Sequence, residues 1–428
     1  MKILIKNGRV IDPANNIDDI RDILIEDTKI SQVAKGIKNG CQQIIDAKDK
    51  IIIPGLVDMH VHLREPGRED KETIATGTRA ALKGGVTTVL AMPNTNPSID
   101  SVESGRLLKK IIDKSALANV LICGTITKGR KGQELSDIAG LKKEGAVAIS
   151  DDGASVDNIE LMSEALKKAK EAGMLVICHC EDKVLANQGV VNLGIMSTRL
   201  GLRGISRESE HKRVERDIQL AQKIDTPIHI AHISCRESVE IISQAKKNGV
   251  KISAETAPHY FSLSEEALIG YDTNMKMNPP LRTKDDLEVI KQGLKDGTID
   301  VIASDHAPHT ESEKEIEFER AEFGVIGLET ILAISIRELV ENGLLNWSDL
   351  VRKISLQPAR ILGIDKGSLG VGKEADLAVF SPDSEWCVEK AGLVSKSKNS
   401  AFLGRKLKAR VEYTICSGKI AYGIKNIK

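Results

Sequence analysis

The sequence predicts an α/β fold, a (β/α)8 TIM-type barrel with a small β-sandwich formed by both chain ends. Three observations predict it. Eight short apolar runs alternate with amphipathic stretches through the middle of the chain. Histidines and aspartates collect at the ends of those runs. The two chain ends read as strands and turns instead. A doubly wound open sheet shares the alternation and is the competing fold. With 428 residues, 41% of them apolar, the chain can build one large barrel with an appendage around a sizeable core.

Residues 1–54 and 366–428 are expected to form the composite sandwich, and residues 55–365 the barrel. Residues 1–6 alternate apolar and polar positions like a strand, and Asn7-Gly8, Asp12-Pro13 and Asn39-Gly40 read as turns. At the far end, residues 367–372, Ser381-Pro382 and Ser417-Gly418 carry the same signals. Neither end is long enough to bury a sheet face alone, so the two should pair beside the barrel. The barrel strands are read at 51–59, 86–92, 120–126, 145–150, 174–178, 227–233, 250–255 and 300–304. Helices are expected between them, including 157–172, 207–224 and 236–248. In the second of these, Val214, Ile218, Ala221 and Ile224 recur at helical spacing.

Composition excludes several function classes. Basic and acidic residues balance at 61 each, so nothing draws the chain to a polyanion or an anionic membrane. Aromatics are only 3%, too few for base-stacking platforms on nucleic acid. No run is long enough to span a bilayer, and residues 1–6 lack the apolar stretch of a signal peptide. Cys41, Cys123, Cys178, Cys180, Cys235, Cys387 and Cys416 are scattered, with no Cys-x-x-Cys pair. An odd, dispersed set fits reduced thiols, and a cytoplasmic location is expected.

The chemistry lies in where the histidines and aspartates fall. His60-Val61-His62 ends the first run, and alternate strand residues face one way, so both imidazoles can reach one metal. Asp151-Asp152-Gly153 ends the fourth run, His179 the fifth, His232 the sixth and Asp305 the eighth. Barrel active sites lie at the C-terminal ends of strands. Five strands therefore deliver metal-ligand residue types to one rim. Zinc favours imidazole nitrogen and carboxylate oxygen, and four His with two Asp suffice for one or two Zn2+. Each histidine alone would read as a hydrogen-bonded core residue; it is the five coincidences that argue for a metal site.

The segments Asp58-Met-His-Val-His-Leu-Arg-Glu-Pro-Gly67, Met92-Pro-Asn94, Ser150-Asp-Asp-Gly153, His179-Cys-Glu-Asp182, His229-Ile-Ala-His232, Met277-Asn-Pro-Pro-Leu-Arg282 and Ala303-Ser-Asp-His-Ala-Pro-His309 resemble the bacterial class I dihydroorotases of the amidohydrolase superfamily. The resemblance runs from Asn7-Gly8 to Gly418. It implies a zinc-dependent enzyme that reversibly closes N-carbamoyl-L-aspartate to dihydroorotate in pyrimidine synthesis. It implies that His60 and His62 bind one metal, that His179 and His232 serve a second, and that Asp305 lies by the first as general base and acid. Hydantoinases and allantoinases use a carboxylated lysine at the end of strand four. Here Lys142 and Lys143 fall on the preceding helix, and Asp152 matches the family's bridging aspartate, with Asp151 the weaker match. Arg64 suits a ring-borne carboxylate through its planar fork, with a rim salt bridge to Glu65 or Glu69 as the structural alternative. The resemblance adds Asn94 and His309 as carboxylate partners. It adds Asn278 and the Phe323-Gly324 backbone for the ring edge, although Asn278 could be only a turn residue before Pro279-Pro280. It further implies a homodimer and a possible complex with an aspartate carbamoyltransferase. The competing functions are another cyclic amidohydrolase, hydantoinase- or allantoinase-like, or a non-catalytic assembly partner.

Other residues read as structural. Cys178 and Cys180 should pack on the outer face, opposite His179, and His229 should be barrel packing or support for the site. His211 should lie on a helix surface. His259 should end strand seven and could support the site, and His306 could hydrogen-bond locally. Residues 367–374 mimic a phosphate loop but lack its Ser/Thr and precede a strand, so that reading is rejected. The charged stretch 311–322 after strand eight is a candidate flap. Ser206, Tyr260 and Ala154 depart from the family pattern without touching a proposed ligand.

Overall fold

The computed structural model describes residues 2–38 and 43–424. The expected turn at Asn39-Gly40 and the thiol of Cys41 lie outside them.

The chain ends meet in one eight-stranded sheet. From the start of the chain come β1 (Lys2–Asp12), β2 (Ile17–Glu26), β3 (Lys29–Ala34), β4 (Gln43–Asp46) and β5 (Ile51–Pro54). Their side chains Ile3, Ile5, Ile23, Ile25, Ile45 and Ile52 bury against Leu377, Val379 and Ile415 from the far end, so neither end has a complete core alone.

The barrel strands are β6 (Leu56–Val61), β7 (Val86–Ala91), β8 (Asn119–Gly124), β9 (Ala146–Ile149) and β10 (Leu175–Cys178). A short pair, β11 (Val191–Asn192) and β12 (Gly204–Ile205), interrupts the series before β13 (Ile228–Ile230), β14 (Ile252–Thr256) and β15 (Val301–Ile302). The eight barrel strands are parallel neighbours in the order β15-β14-β13-β10-β9-β8-β7-β6. The parallel bridge between Val61 and His306 brings the first strand to the last. The chain then returns to the end sheet through β16 (Leu377–Ser381), makes the small pair β17 (Trp386–Cys387) and β18 (Lys406–Leu407), and finishes with β19 (Arg410–Cys416) and β20 (Lys419–Gly423).

Helices form between the strands as expected, at Ile159–Ala172, Glu208–Ile224 and Arg236–Lys247 among others. Asn158 caps the first of these by accepting from Leu161 N–H, and Gly173 ends it in a left-handed conformation, φ 61°. Lys142 and Lys143 end the helix Ile138–Lys143, away from the strand-four terminus. Val57, Leu90, Cys123, Ala148, Ile177 and Val301, drawn from β6 to β10 and β15, form one apolar cluster inside the barrel.

Three local expectations are corrected. The run 51–59 is two strands, because Gly55 divides it. Ile51–Pro54 pairs with β1 and β16, whereas Leu56–Val61 pairs with β7. A Cβ on Gly55 would sit 2.2 Å from the Thr87 hydroxyl, so only glycine lets the chain cross there. Asn7-Gly8 is a bulge inside β1 and not a turn: Asn7 is left-handed at φ 64°, and its N–H donates to Asp22. His259 lies past β14, in the short helix Pro258–Ser262.

Candidate active site

All six proposed metal-ligand residues converge at the C-terminal rim. Asp152 is the hub. Its Oδ1 lies 3.3 Å from His60 Nε2, 3.3 Å from His179 Nδ1 and 3.6 Å from His232 Nε2. Its Oδ2 lies 3.5 Å from His62 Nε2. Asp305 Oδ1 completes the cluster, 3.4 Å from His62 Nε2 and 3.7 Å from His60 Nε2. His179 Nδ1 and His232 Nε2 face each other at 2.8 Å. One imidazole pair thus stands on each side of Asp152.

Local structure aims these groups. The pairing of β6 with β7 slips between Asp58 and Val61, a register shift that falls at His60. Asp58 ties that strand to the last one by accepting from His60 N–H and Ser304 N–H. His232 and Asp305 both have left-handed backbones, φ 36° and 48°. Asp151 points elsewhere: its carboxylate accepts from the N–H groups of Ile126 and Thr127 and from the Thr127 hydroxyl. Asp152 alone of that pair faces the histidines.

The donor set fits a divalent cation. His60 Nδ1 donates to Glu255 Oε1 at 2.6 Å, and His62 Nδ1 donates to Asn94 Oδ1 at 2.8 Å. A neutral imidazole carries one proton, so both Nε2 atoms turn lone pairs toward the carboxylates. His60 Nε2, Asp152 Oδ1 and His179 Nε2 are buried with no hydrogen-bond partner. His60, His62 and Asp305 bring ligand atoms within 4.8 Å of one another, as do His60, Asp152 and His232. Opposed lone pairs in a buried site repel, and a cation between them removes that cost.

The remaining expected residues line the same rim. Arg64 does not pair with Glu65 or Glu69; its Nε donates to the Pro308 carbonyl at 3.1 Å, and its Nη2 lies 3.3 Å from His309 Nε2. Burial lowers its pKa to about 10, with Asp152 and Asp305 opposing, so it stays charged at neutral pH. His309 Nε2 donates to the Phe323 carbonyl at 2.8 Å. A Cβ on Gly324, φ 124°, would lie 2.6 Å from Ala307 Cβ and 3.3 Å from His309 Nε2, so glycine keeps this corner open. Asn278 is more than a turn residue: its Nδ2 donates to Glu181 Oε1 at 3.0 Å, and Glu181 Oε2 lies 3.6 Å from His179 Nε2.

Two groups escaped sequence reasoning. Glu255 bridges His60 and His229, whose Nε2 lies 3.2 Å from its other oxygen. Its signal was an acid at the end of an apolar run. Glu181 supports both His179 and Asn278, and its signal was its place two residues after a ligand. The stretch 311–322 forms the short helix Glu311–Lys314 and a loop pinned from within. Buried Lys314 donates to the carbonyls of Glu322 and Gly324, and Lys276 to those of Phe318 and Glu319.

Comparison with known proteins agrees with this geometry. Residues 49–238 match the family described as dihydro-orotase-like, and residues 328–422 match an amidohydrolase family. The dihydroorotase of Elusimicrobium minutum is 51% identical over 98% of this chain and 97% of its own length. That of Geobacter metallireducens is 50% identical over 99% and 100%. In solved structures, the L-hydantoinase of Arthrobacter aurescens superposes with a TM-score of 0.91 at 23% identity, covering 100% of this chain and 97% of that one. That likeness establishes the shared barrel fold. Among the described residues, no helix is long and apolar enough to cross a membrane. The chain belongs to the dihydroorotase family of cyclic amidohydrolases.

Proposed function

We propose that the chain is a zinc-dependent dihydroorotase, interconverting N-carbamoyl-L-aspartate and (S)-dihydroorotate plus water in pyrimidine synthesis. The observation that carries this reading is the pairing of an Asp-centred His/Asp cluster with a cationic rim at Arg64. Such a site suits a cyclic amide that bears a carboxylate. Hydantoin and allantoin lack that carboxylate, and Asp152 stands where their hydrolases need a lysine.

His60, His62 and Asp305 would hold one metal, His179 and His232 a second, with Asp152 between them. Bound there, the metal supplies Lewis-acid polarisation of the ring carbonyl and a water acidic enough to react near neutral pH. Asp305 takes a proton from the attacking water and delivers it to the ring nitrogen as the C–N bond breaks. In ring closure it moves the proton the other way. Arg64 and His309 grip the substrate carboxylate, and the free Nδ2 of Asn94 adds a donor. Asn278 and the Phe323-Gly324 backbone align the ring edge, which sets the attack geometry.

The proposal extends to a cytoplasmic homodimer and to a complex with an aspartate carbamoyltransferase. Light scattering of the pure protein, alone and mixed with that transferase, tests both. The function itself is tested by following ring opening of dihydroorotate by absorbance. Turnover of hydantoin without turnover of dihydroorotate would overturn the substrate, and a zinc-loaded protein inert on both would favour a non-catalytic assembly partner.

A further inference from the structure

Both ring nitrogens of His309 are engaged, and their partners dictate its proton. Nδ1 lies 3.0 Å from Lys71 Nζ, and Nε2 lies 2.8 Å from the Phe323 carbonyl oxygen. Lys71 is buried, and its ammonium pairs with Glu313 Oε1 at 3.0 Å. Glu313 also holds Arg68 at 2.6 Å. An ammonium only donates and a carbonyl only accepts. One state satisfies the Lys71 and Phe323 contacts, a neutral imidazole with its proton on Nε2; Glu313 Oε2, the competing acceptor, lies 3.5 Å from Nδ1, farther than the ammonium at 3.0 Å. Burial first, then the charges of Arg64 and Lys71, drive the His309 pKa down to about 2, so the ring stays neutral near pH 7. With the proton on Nε2, the 3.3 Å approach of Arg64 Nη2 is not a hydrogen bond. That guanidinium nitrogen keeps its donors for an incoming anion.

We infer that Lys71 is a positioning residue that fixes His309 in the Nε2–H tautomer, so that this proton, held by the Phe323 carbonyl in the structure, can be shared with the carboxylate of a substrate ring lying beside the Arg64 donors. The inference rests on the dihydroorotase reading, which supplies that carboxylate. In the other tautomer His309 would turn a lone pair toward the anion and repel it. Without the ammonium, Nδ1 becomes a buried acceptor lacking its partner, and nothing selects between the two states. Discrimination in favour of an anionic ring therefore depends on a lysine that acts through its neighbour. Glu313 keeps the lysine charged and in place.

The test is nitrogen-15 NMR of histidine-labelled, full-length, metal-loaded protein, with His309→Asn used to assign the His309 signals. The expected wild-type result is a protonated Nε2 and an unprotonated, hydrogen-bonded Nδ1 across neutral pH. In Lys71→Met those signals become a mixture of tautomers or begin to titrate, and Lys71→Arg restores them. In parallel, Lys71→Met raises KM for dihydroorotate by roughly tenfold, the worth of a charge-assisted contact, with the loss falling on KM more than on kcat. A wild-type His309 carrying its proton on Nδ1 overturns the inference without any variant. A folded Lys71→Met protein with unaltered His309 signals and unaltered KM overturns it too. Wild-type protein inactive on dihydroorotate would instead defeat the substrate reading, and the tautomer measurement needs no substrate.

Discussion

Replacing Glu255 by Gln should weaken metal binding at His60 by about 10- to 100-fold, the usual cost of losing a carboxylate that orients a ligating histidine. At about 1.4 kcal/mol per tenfold, that is roughly 1.4–2.8 kcal/mol. The structure indicates why the effect should be in this range. Glu255 Oε1 takes the His60 Nδ1 proton at 2.6 Å, which leaves Nε2 as the ligand atom and makes it more basic. The carboxylate is buried and held ionised by its partners: burial opposes the charge, but His60 and His229 outweigh it. Glutamine keeps the volume and one acceptor, so packing survives while the charge is lost. Its amide would also turn a donor toward His229 or His60, disturbing one of the two contacts. The assay is a chelator-competition titration of the metal against wild type and Glu255→Gln, with circular dichroism confirming the fold. Unchanged affinity in a folded variant would mean that His60 does not depend on Glu255 to present Nε2.

Asp305→Ala should cut turnover by about 10²-fold or more while leaving the fold intact, since it removes the proton shuttle; steady-state kinetics showing near-normal turnover would exclude that role. Arg64→Ala should cost roughly 1.5–3 kcal/mol of substrate binding, the worth of a hydrogen bond to a charged group, and an unchanged KM would reassign Arg64 to structure. Ring closure converts a carboxylate into an imide carbonyl and takes up one proton. Between the carboxylate and imide pKa values, the equilibrium ratio of ring to open form should therefore rise about tenfold for each unit that pH falls; chromatography of equilibrated mixtures checks the slope. Phe380→Ala, at a fully buried position between the sheet and the barrel, should destabilise the protein by about 3–5 kcal/mol in denaturant unfolding.

Much of the fold was legible because its signals are local. Alternating strand and helix patterns set the barrel, and the residues at the ends of the runs marked the rim where His60, Asp152, His179, His232 and Asp305 meet. What stayed hidden depends on contacts made only in three dimensions. The apolar run 51–59 carries no mark of its division between two sheets except Gly55, whose need for glycine comes from Thr87, 32 positions away by their numbers. Asn7-Gly8 has the composition of a turn, and its role as a bulge follows from Asp22 on the neighbouring strand. Asp151 and Asp152 are indistinguishable by spacing; the loop at Ile126 and Thr127 that claims Asp151 separates them. Glu255, Glu181 and Lys71 act through other side chains, and such support leaves no motif in a single sequence.

If side chains from separate barrel strands create a metal centre that opens and closes the dihydroorotate ring, titrating zinc into metal-free protein should switch ring opening on. Turnover should rise in step with bound zinc and disappear when a chelator removes it. Full turnover without metal, or a zinc-saturated protein that leaves dihydroorotate unchanged, would contradict this role for the metal centre.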